Sequence, residues 1–296
     1  MPKQQANNIE SIFLPSATII DEYMIERGLA KGGFSYVYLA RQLDDQVQVA
    51  IKEYLPRKLA YRNDSYSVDA ISEQTRPMFF KGRKLFFDEA KALASLKHPN
   101  IVDVINFFQA NSTVYMVMIY DYGITLDKLL RDKKIEINTE NMIHIFGELL
   151  NGIEIIHQNN LVHLDIKPAN ILIRPNHSPM LLDFGAIQPY PITEQKSRSQ
   201  VLTKGFSPIE QYMGNGDLGP WTDIYAIGSS MRACLERKAP QESPSRLKED
   251  KVIPAIKEHK KRLSPSLLEA IDWAMEIQPD LRPQSIKEFQ DVLLHL

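Results

Sequence analysis

The chain has 296 residues, with 35 Lys+Arg against 37 Asp+Glu and a net charge of -2, so it carries no electrostatic footprint for nucleic acid. It is 44% hydrophobic and 24% charged, ordinary for a folded chain, and its single cysteine, Cys234, excludes a disulfide framework and a cysteine-rich metal site. The start (MPKQQANNIE) lacks an apolar signal segment, and the longest apolar stretch, around Val114–Tyr120, is far short of the ~20 residues that span a bilayer; a cytosolic chain is expected, with an anchor beyond Leu296 left open.

Residues 1–20 read as a loose lead-in. From Tyr23, three extended segments follow (EYMIERGLA, FSYVYLA and VQVAIKEYL), with Leu43–Gln46 as a polar turn. Residues 56–82 hold prolines, polar residues and a basic-aromatic run, and read as an insertion leading to a helix. That helix is expected over Arg83–Lys97, because Leu85, Phe86, Ala90, Leu93 and Leu96 recur at helical spacing; His98-Pro99 stops it. IVDVINFFQ and TVYMVMIY complete a five-stranded antiparallel sheet with one major helix.

The remainder is mainly helical. Asn138 or Thr139 caps a helix to about Asn159, whose apolar positions repeat every three to four residues. Two short strands, NILIR and MLLDF, come next. Helices are expected at Trp221–Leu235, Leu247–Lys260, Pro265–Glu276 and Gln284–Leu294, with Ser264-Pro265 as an N-cap and first-turn pair. The fold class is α+β: an extension 1–20, a sheet-bearing lobe 21–119 and a helical lobe 120–296. His144 and His157 read as ordinary helix residues, and Cys234 as a buried thiol.

Chemistry concentrates in HLDIKPAN, His163–Asn170, a loop between a helix end and a strand. It gathers an acid (Asp165), a base (Lys167) and an amide (Asn170). DFG, Asp183–Gly185, ends the next short strand. A hairpin joining Asn170 to Asp183 sets two oxygen donors side by side, the ligand type Mg2+ takes while sharing phosphate oxygens. Asp165 is then placed to orient a hydroxyl, and Lys167 to offset charge on a transferring phosphoryl group. In VAIKE, strand alternation puts Ala50 and Lys52 on one face. Lys52 suits nucleotide α/β-phosphates, with Glu89 of the following helix as its partner. Gly32 and Gly33 in LAKGGFSYVYLA allow close approach to phosphate, with Phe34 at the tip.

In this order the motifs resemble the eukaryotic-type protein kinases, and the chain looks like a bacterial Ser/Thr member. The resemblance covers roughly residues 21–294 and implies the bilobal protein-kinase-like fold, with the major helix of the first lobe as helix C. It implies ATP as co-substrate, Mg2+ with Mn2+ as the alternative ion, and a protein substrate. Ala30, Gly32 and Ser35 stand where three glycines usually stand, and Val37 matches the valine after them. Lys52 matches the strand lysine and Glu89 the helix glutamate. His163, Asp165, Lys167 and Asn170 match the catalytic loop, and Asp183-Phe184-Gly185 the metal-binding motif. Met118 would be the gatekeeper, and Ile119, Tyr120, Asp121 and Tyr122 the hinge whose backbone meets adenine. Val37, Ala50 and Leu172 would sandwich the ring. Glu210 and Arg282 would pair, and Asp223 would hold the catalytic loop. Lys167, and Thr203 contacting the acid and lysine, favour Ser/Thr acceptors.

Departures are informative. Ala30 and Ser35 replace glycines; Leu164 replaces the arginine that normally reads an activation-loop phosphate; Leu202 and Pro208 replace glycine and alanine near the peptide floor. Glu89 follows Lys52 by 37 residues, more than the family's usual spacing, so segment 56–82 or helix C is a candidate contact for a regulatory partner. Thr193, Ser197 and Ser199 are candidate autophosphorylation sites. Two alternatives stand beside the kinase reading. One is a pseudokinase scaffold, motivated by the glycine replacements. The other is a small-molecule kinase of the aminoglycoside or choline type, which shares the HxDxxxxN loop.

Overall fold

The computed structural model describes residues 13–191, 201–213 and 216–294. They divide into two compact units. One extends to Lys97 and includes Val102–Asp121; the other holds His98–Ile101 and the residues from Tyr122 onward.

In the first unit, β1 (Ile19–Ile20), β2 (Tyr23–Lys31), β3 (Ser35–Gln42) and β4 (Gln48–Tyr54) are followed by a small hairpin, β5 (Ala60–Arg62) and β6 (Val68–Ala70). Helix α1 (Arg76–Ala94) and strands β7 (Val104–Ala110) and β8 (Thr113–Ile119) complete it. The main sheet is antiparallel, in the order β1-β2-β3-β4-β8-β7. Five strands are those the alternation predicts; the sixth, β1, is a two-residue edge. Val37 lies opposite Lys52 and Leu39 opposite Ala50, so Val37, Ala50 and Lys52 share one face.

Three expectations are corrected here. The described end of the lead-in is not loose: Phe13 packs edge-on against Tyr36 and Tyr38, and Leu14 is buried. The 56–82 segment, expected as an insertion that ends before the helix, holds the β5–β6 hairpin and already the opening turns of α1. That helix begins at Arg76, seven residues before Arg83, because Pro77 falls in its first turn, where a missing N–H is tolerated. Glu89 therefore sits in the C-terminal half of α1.

The second unit contains β9 (Ile124–Thr125), α2 (Leu126–Arg131), α3 (Thr139–Gln158), β10 (Leu161–Val162), β11 (Ile171–Ile173), β12 (Pro179–Leu181) and β13 (Gln188–Pro189). Then come α4 (Ile209–Tyr212), α5 (Pro220–Glu236), α6 (Ser243–Lys248), α7 (Ala255–His259), α8 (Pro265–Ala274) and α9 (Ile286–Leu294). Asn138 caps α3 by accepting the Asn141 N–H at 2.8 Å, and the predicted apolar stripe from Met142 to Ile156 is buried. Helix α5 is buried on nearly every side, as a helix through the middle of a core must be. The single helix expected over Leu247–Lys260 is instead two. Asp250 pairs with Arg246 and accepts the Val252 N–H, and Pro254 precedes α7, whose first N–H groups bond to Asp272. Ser264 precedes α8 as predicted, but its side chain makes no capping bond.

Candidate active site

Lys52 and Glu89 meet within the first unit. Nζ lies 3.5 Å from Oε1, both side chains are almost fully buried, and Nζ sits 5.5 Å from the centre of the Phe86 ring. The pair joins β4 to α1, and Leu93, one turn beyond Glu89, packs in the core. The β2–β3 turn carries Gly32, Gly33 and Phe34. A side chain at Gly33 would meet nothing within 4 Å, and one at Gly32 only ordinary contacts; neither residue has the left-handed backbone that demands glycine. Their missing side chains thus leave room above the backbone that the fold does not need, which suits an incoming phosphate. Ala30 is exposed and pairs with Val37; Ser35 opens β3; Phe34 is exposed.

Met118 is buried opposite Ala50. Ile119 ends β8, and its N–H bonds to the Asp103 carbonyl, while that of Tyr120 bonds to Gln48. These two donors serve the unit's own fold, so an adenine would have to meet other backbone groups of 119–122. Asp121 closes the first unit and Tyr122 opens the second. Leu172, expected beside Val37 and Ala50, belongs to the second unit, where it pairs with Thr125 and Met180.

The second unit gathers the other candidates more tightly. Lys167 Nζ lies 2.9 and 2.8 Å from the two oxygens of Asp165 and donates to Thr203 Oγ1 at 3.1 Å. Thr203 in turn donates to Asp165 Oδ1 at 2.6 Å. Asn170 Nδ2 donates to the Asp165 carbonyl at 2.9 Å and to its Oδ2 at 3.1 Å. With its nitrogen so held, Asn170 offers its amide oxygen to a ligand. The β11–β12 ladder and the bond from the Leu182 N–H to the Asn170 carbonyl bring Asp183 back beside that strand. Asp183 Oδ1 accepts the Gly185 N–H at 3.1 Å. An amide oxygen and a carboxylate are hard donors, which fits Mg2+.

One residue of α5 sets the loop. Asp223, fully buried, accepts the N–H groups of His163 and Leu164, each at 2.8 Å, and lies 2.8 Å from His157 Nε2. Burial alone would raise its pKa, but the His157 bond, the histidine charges and the loop N–H hold it below the ordinary value. This arrangement secures Leu164 with φ of 66°, a left-handed conformation costing on the order of 1–2 kcal/mol for a non-glycine residue. His157 was expected to be an ordinary helix residue; the available signal was its place in the last turn of α3, just before the loop. Leu164 packs with Val162, Ala186 and Leu218, against Tyr190 and Val201. Glu210 and Arg282 form a buried bidentate pair at 2.7 and 3.2 Å, with Thr222 donating to the same carboxylate. Gln211 donates to the Leu164 carbonyl at 2.9 Å, a contact no motif announces. Thr193, Ser197 and Ser199 lie outside the described residues.

Residues 23–295 match the protein kinase domain family. The chain belongs to the protein kinase family. Serine/threonine-protein kinase D of Synechocystis sp. is 29% identical over 93% of this chain and 52% of its own length. PknJ of Mycobacterium bovis is 30% identical over 77% of this chain and 36% of its own length. The solved structure titled "PpkA-294 apo form" aligns with a TM-score of 0.85 and 34% identity, covering 96% of this chain and all of that one. The α+β kinase fold, with a sheet-bearing first unit and a helical second, is thereby shared. The chain spans about half the length or less of these curated relatives.

Proposed function

We propose that this chain transfers the γ-phosphoryl group of ATP to serine or threonine hydroxyls of proteins, its own included. The observation that carries the reading is the four-membered set Asp165, Lys167, Asn170 and Thr203. It is an acid held by three side-chain donors, one of them a cation, and one of them a threonine that also receives the lysine.

In this reading Asp165 orients the acceptor hydroxyl and takes its proton as the new O–P bond forms and the bond from the γ-phosphorus to the β–γ bridging oxygen breaks, ADP leaving with that electron pair. Lys167 offsets charge gathering on the transferring group, and Thr203 keeps acid and lysine in register. Lys52, braced by Glu89, holds the α/β-phosphates, and the Gly32–Gly33 turn lies over them. Asn170 and Asp183 would hold Mg2+, which would supply positive charge to neutralise the phosphate oxygens. The net charge of -2 favours protein over nucleic-acid substrates. Among the described residues no helix is long and apolar enough to cross a membrane, and we place the activity in the cytoplasm. A regulatory partner is proposed to act at segment 56–82 or at α1.

The test is incubation of the purified chain with labelled ATP, Mg2+ and a generic basic protein. Label on serine or threonine that disappears in Asp165→Asn supports the reading. Transfer to a small alcohol but not to protein overturns it in favour of a small-molecule kinase. No transfer by a folded chain points to a pseudokinase.

A further inference from the structure

Three consecutive residues of β4 are fastened to three different partners. Lys52 reaches Glu89 on α1. Tyr54, on the same face, lies between Phe79 and Phe86 of α1, each ring centre 5.7 Å away. Glu53 points to the opposite face, as alternation requires. There it is fully buried, ion-paired with Arg62 of the β5–β6 hairpin, and accepts the hydroxyls of Tyr38 at 2.8 Å and Tyr115 at 2.7 Å. The inserted hairpin therefore grips one face of the sheet at the lysine, and α1 grips the other.

The two grips are also joined to each other. The Val68 N–H of the hairpin bonds to the Asn111 carbonyl, and Ser67 Oγ to Ser112 Oγ, in the β7–β8 turn. Arg83 of α1 donates to the Ser112 carbonyl at 2.9 Å. Between hairpin and helix the chain makes a reciprocal Ser72–Thr75 turn. Gly82 sets how closely α1 approaches β4. A Cβ there would overlap the Tyr54 hydroxyl and lie 2.8 Å from Cζ. A glycine inside a helix is disfavoured by about 1 kcal/mol against alanine, so this close approach, not helix propensity, accounts for it.

We propose that segment 56–82 is a built-in brace for the Lys52–Glu89 pair, with Arg62 and Gly82 as positioning residues. The hairpin and α1 clamp β4 from both faces, so the lysine–glutamate geometry is set from within the chain. This rests on the reading of Lys52 and Glu89 as the pair that positions nucleotide phosphates.

The test uses the full chain and two routes. The double variant Glu53→Gln/Arg62→Met removes both charges together, leaving no orphaned buried ion. Gly82→Ala pushes α1 from Tyr54, and Tyr54→Leu added to it restores room. Turnover, KM for ATP and amide hydrogen exchange across 76–94 are read at a temperature where each variant is folded. Expected are a fall in kcat/KM for ATP of about tenfold or more in both routes, faster exchange in α1, and recovery of most of the loss in Tyr54→Leu/Gly82→Ala. A fold stabilised by the insertion, without positioning, would lower the melting temperature and leave kcat, KM and exchange of folded protein as in wild type; that overturns the brace. Should the double variant not fold, Gly82→Ala and its reversal decide. Should the wild-type chain transfer no phosphate, the kinase reading fails, while hydrogen exchange still decides whether the brace holds α1.

Discussion

Thr203 is the residue on which the proposed acceptor site turns. It donates to Asp165 at 2.6 Å and receives Lys167 at 3.1 Å, so one hydroxyl sets the acid and the base together. Thr203→Val removes both bonds to charged groups, each worth roughly 1.5–3 kcal/mol. Phosphoryl transfer should fall by about 10- to 100-fold, with a smaller loss of thermal stability, because solvent replaces part of the lost bonding at this half-buried residue. Thr203→Ser should keep most activity; equal loss in both variants would show that the hydroxyl does not hold the acid and lysine. At this scale the motif residues were legible because their spacing is local. Glu53–Arg62 was not, because a hairpin with no readable strand pattern brings the two charges together. His157 was read too modestly, because the bond it makes reaches a residue 66 positions away.

Among elements, α5 and the segments around the 163–170 loop matter most. His157→Phe would leave Asp223 with one charged-group bond fewer. Stability by denaturant unfolding should fall by about 1.5–3 kcal/mol, and turnover should fall with it, since the same carboxylate holds the His163 and Leu164 N–H groups. Leu164, where a phosphate-reading arginine stands in the family, is enclosed by Val162, Ala186, Leu218, Tyr190 and Val201. Apolar packing replaces a charge contact there. Complete dephosphorylation of the chain is therefore expected to leave turnover within about twofold; a large drop on phosphatase treatment would refute it. Leu164→Arg should destabilise the fold by about 3–5 kcal/mol, as an unpaired buried charge does. Element boundaries were less legible than element types. Pro77 lies in the stretch read as an insertion but opens α1, and Pro254 lies between α6 and α7 in a segment expected to be one helix.

For the whole molecule, two fully buried groups contribute to stability against acid. His163 is fully buried and titrates below its ordinary 6.5, chiefly from burial, which outweighs the pull of Asp223, Asp165 and Asp183. The unfolded chain takes up that proton first, so the contribution is complete above about pH 6.5 and is lost as pH falls below it. For Asp223 burial pushes upward, but the His157 bond and charges prevail and hold it below 3.8. Its contribution is complete above that value and is lost as pH falls through the lower folded one. The melting temperature should drop between about pH 7 and pH 5, and His163→Phe should flatten part of that slope. His98 and His259, also lowered chiefly by burial, contribute in the same direction.

Read alone, the sequence determined the α+β class, the order of elements and the family, because hydrophobic period and short chemical motifs are written over a few neighbouring residues. It also marked the side chains proposed to carry the chemistry, and a charge of -2 that gives no footprint for nucleic acid. The tertiary structure decided what holds those groups. Asp223 beneath the loop, Tyr54 against Gly82, and Glu53 on Arg62 are contacts between segments far apart or with no regular pattern. Whether a buried carboxylate finds its cation depends on how strands and helices close upon one another, and no local spacing records that.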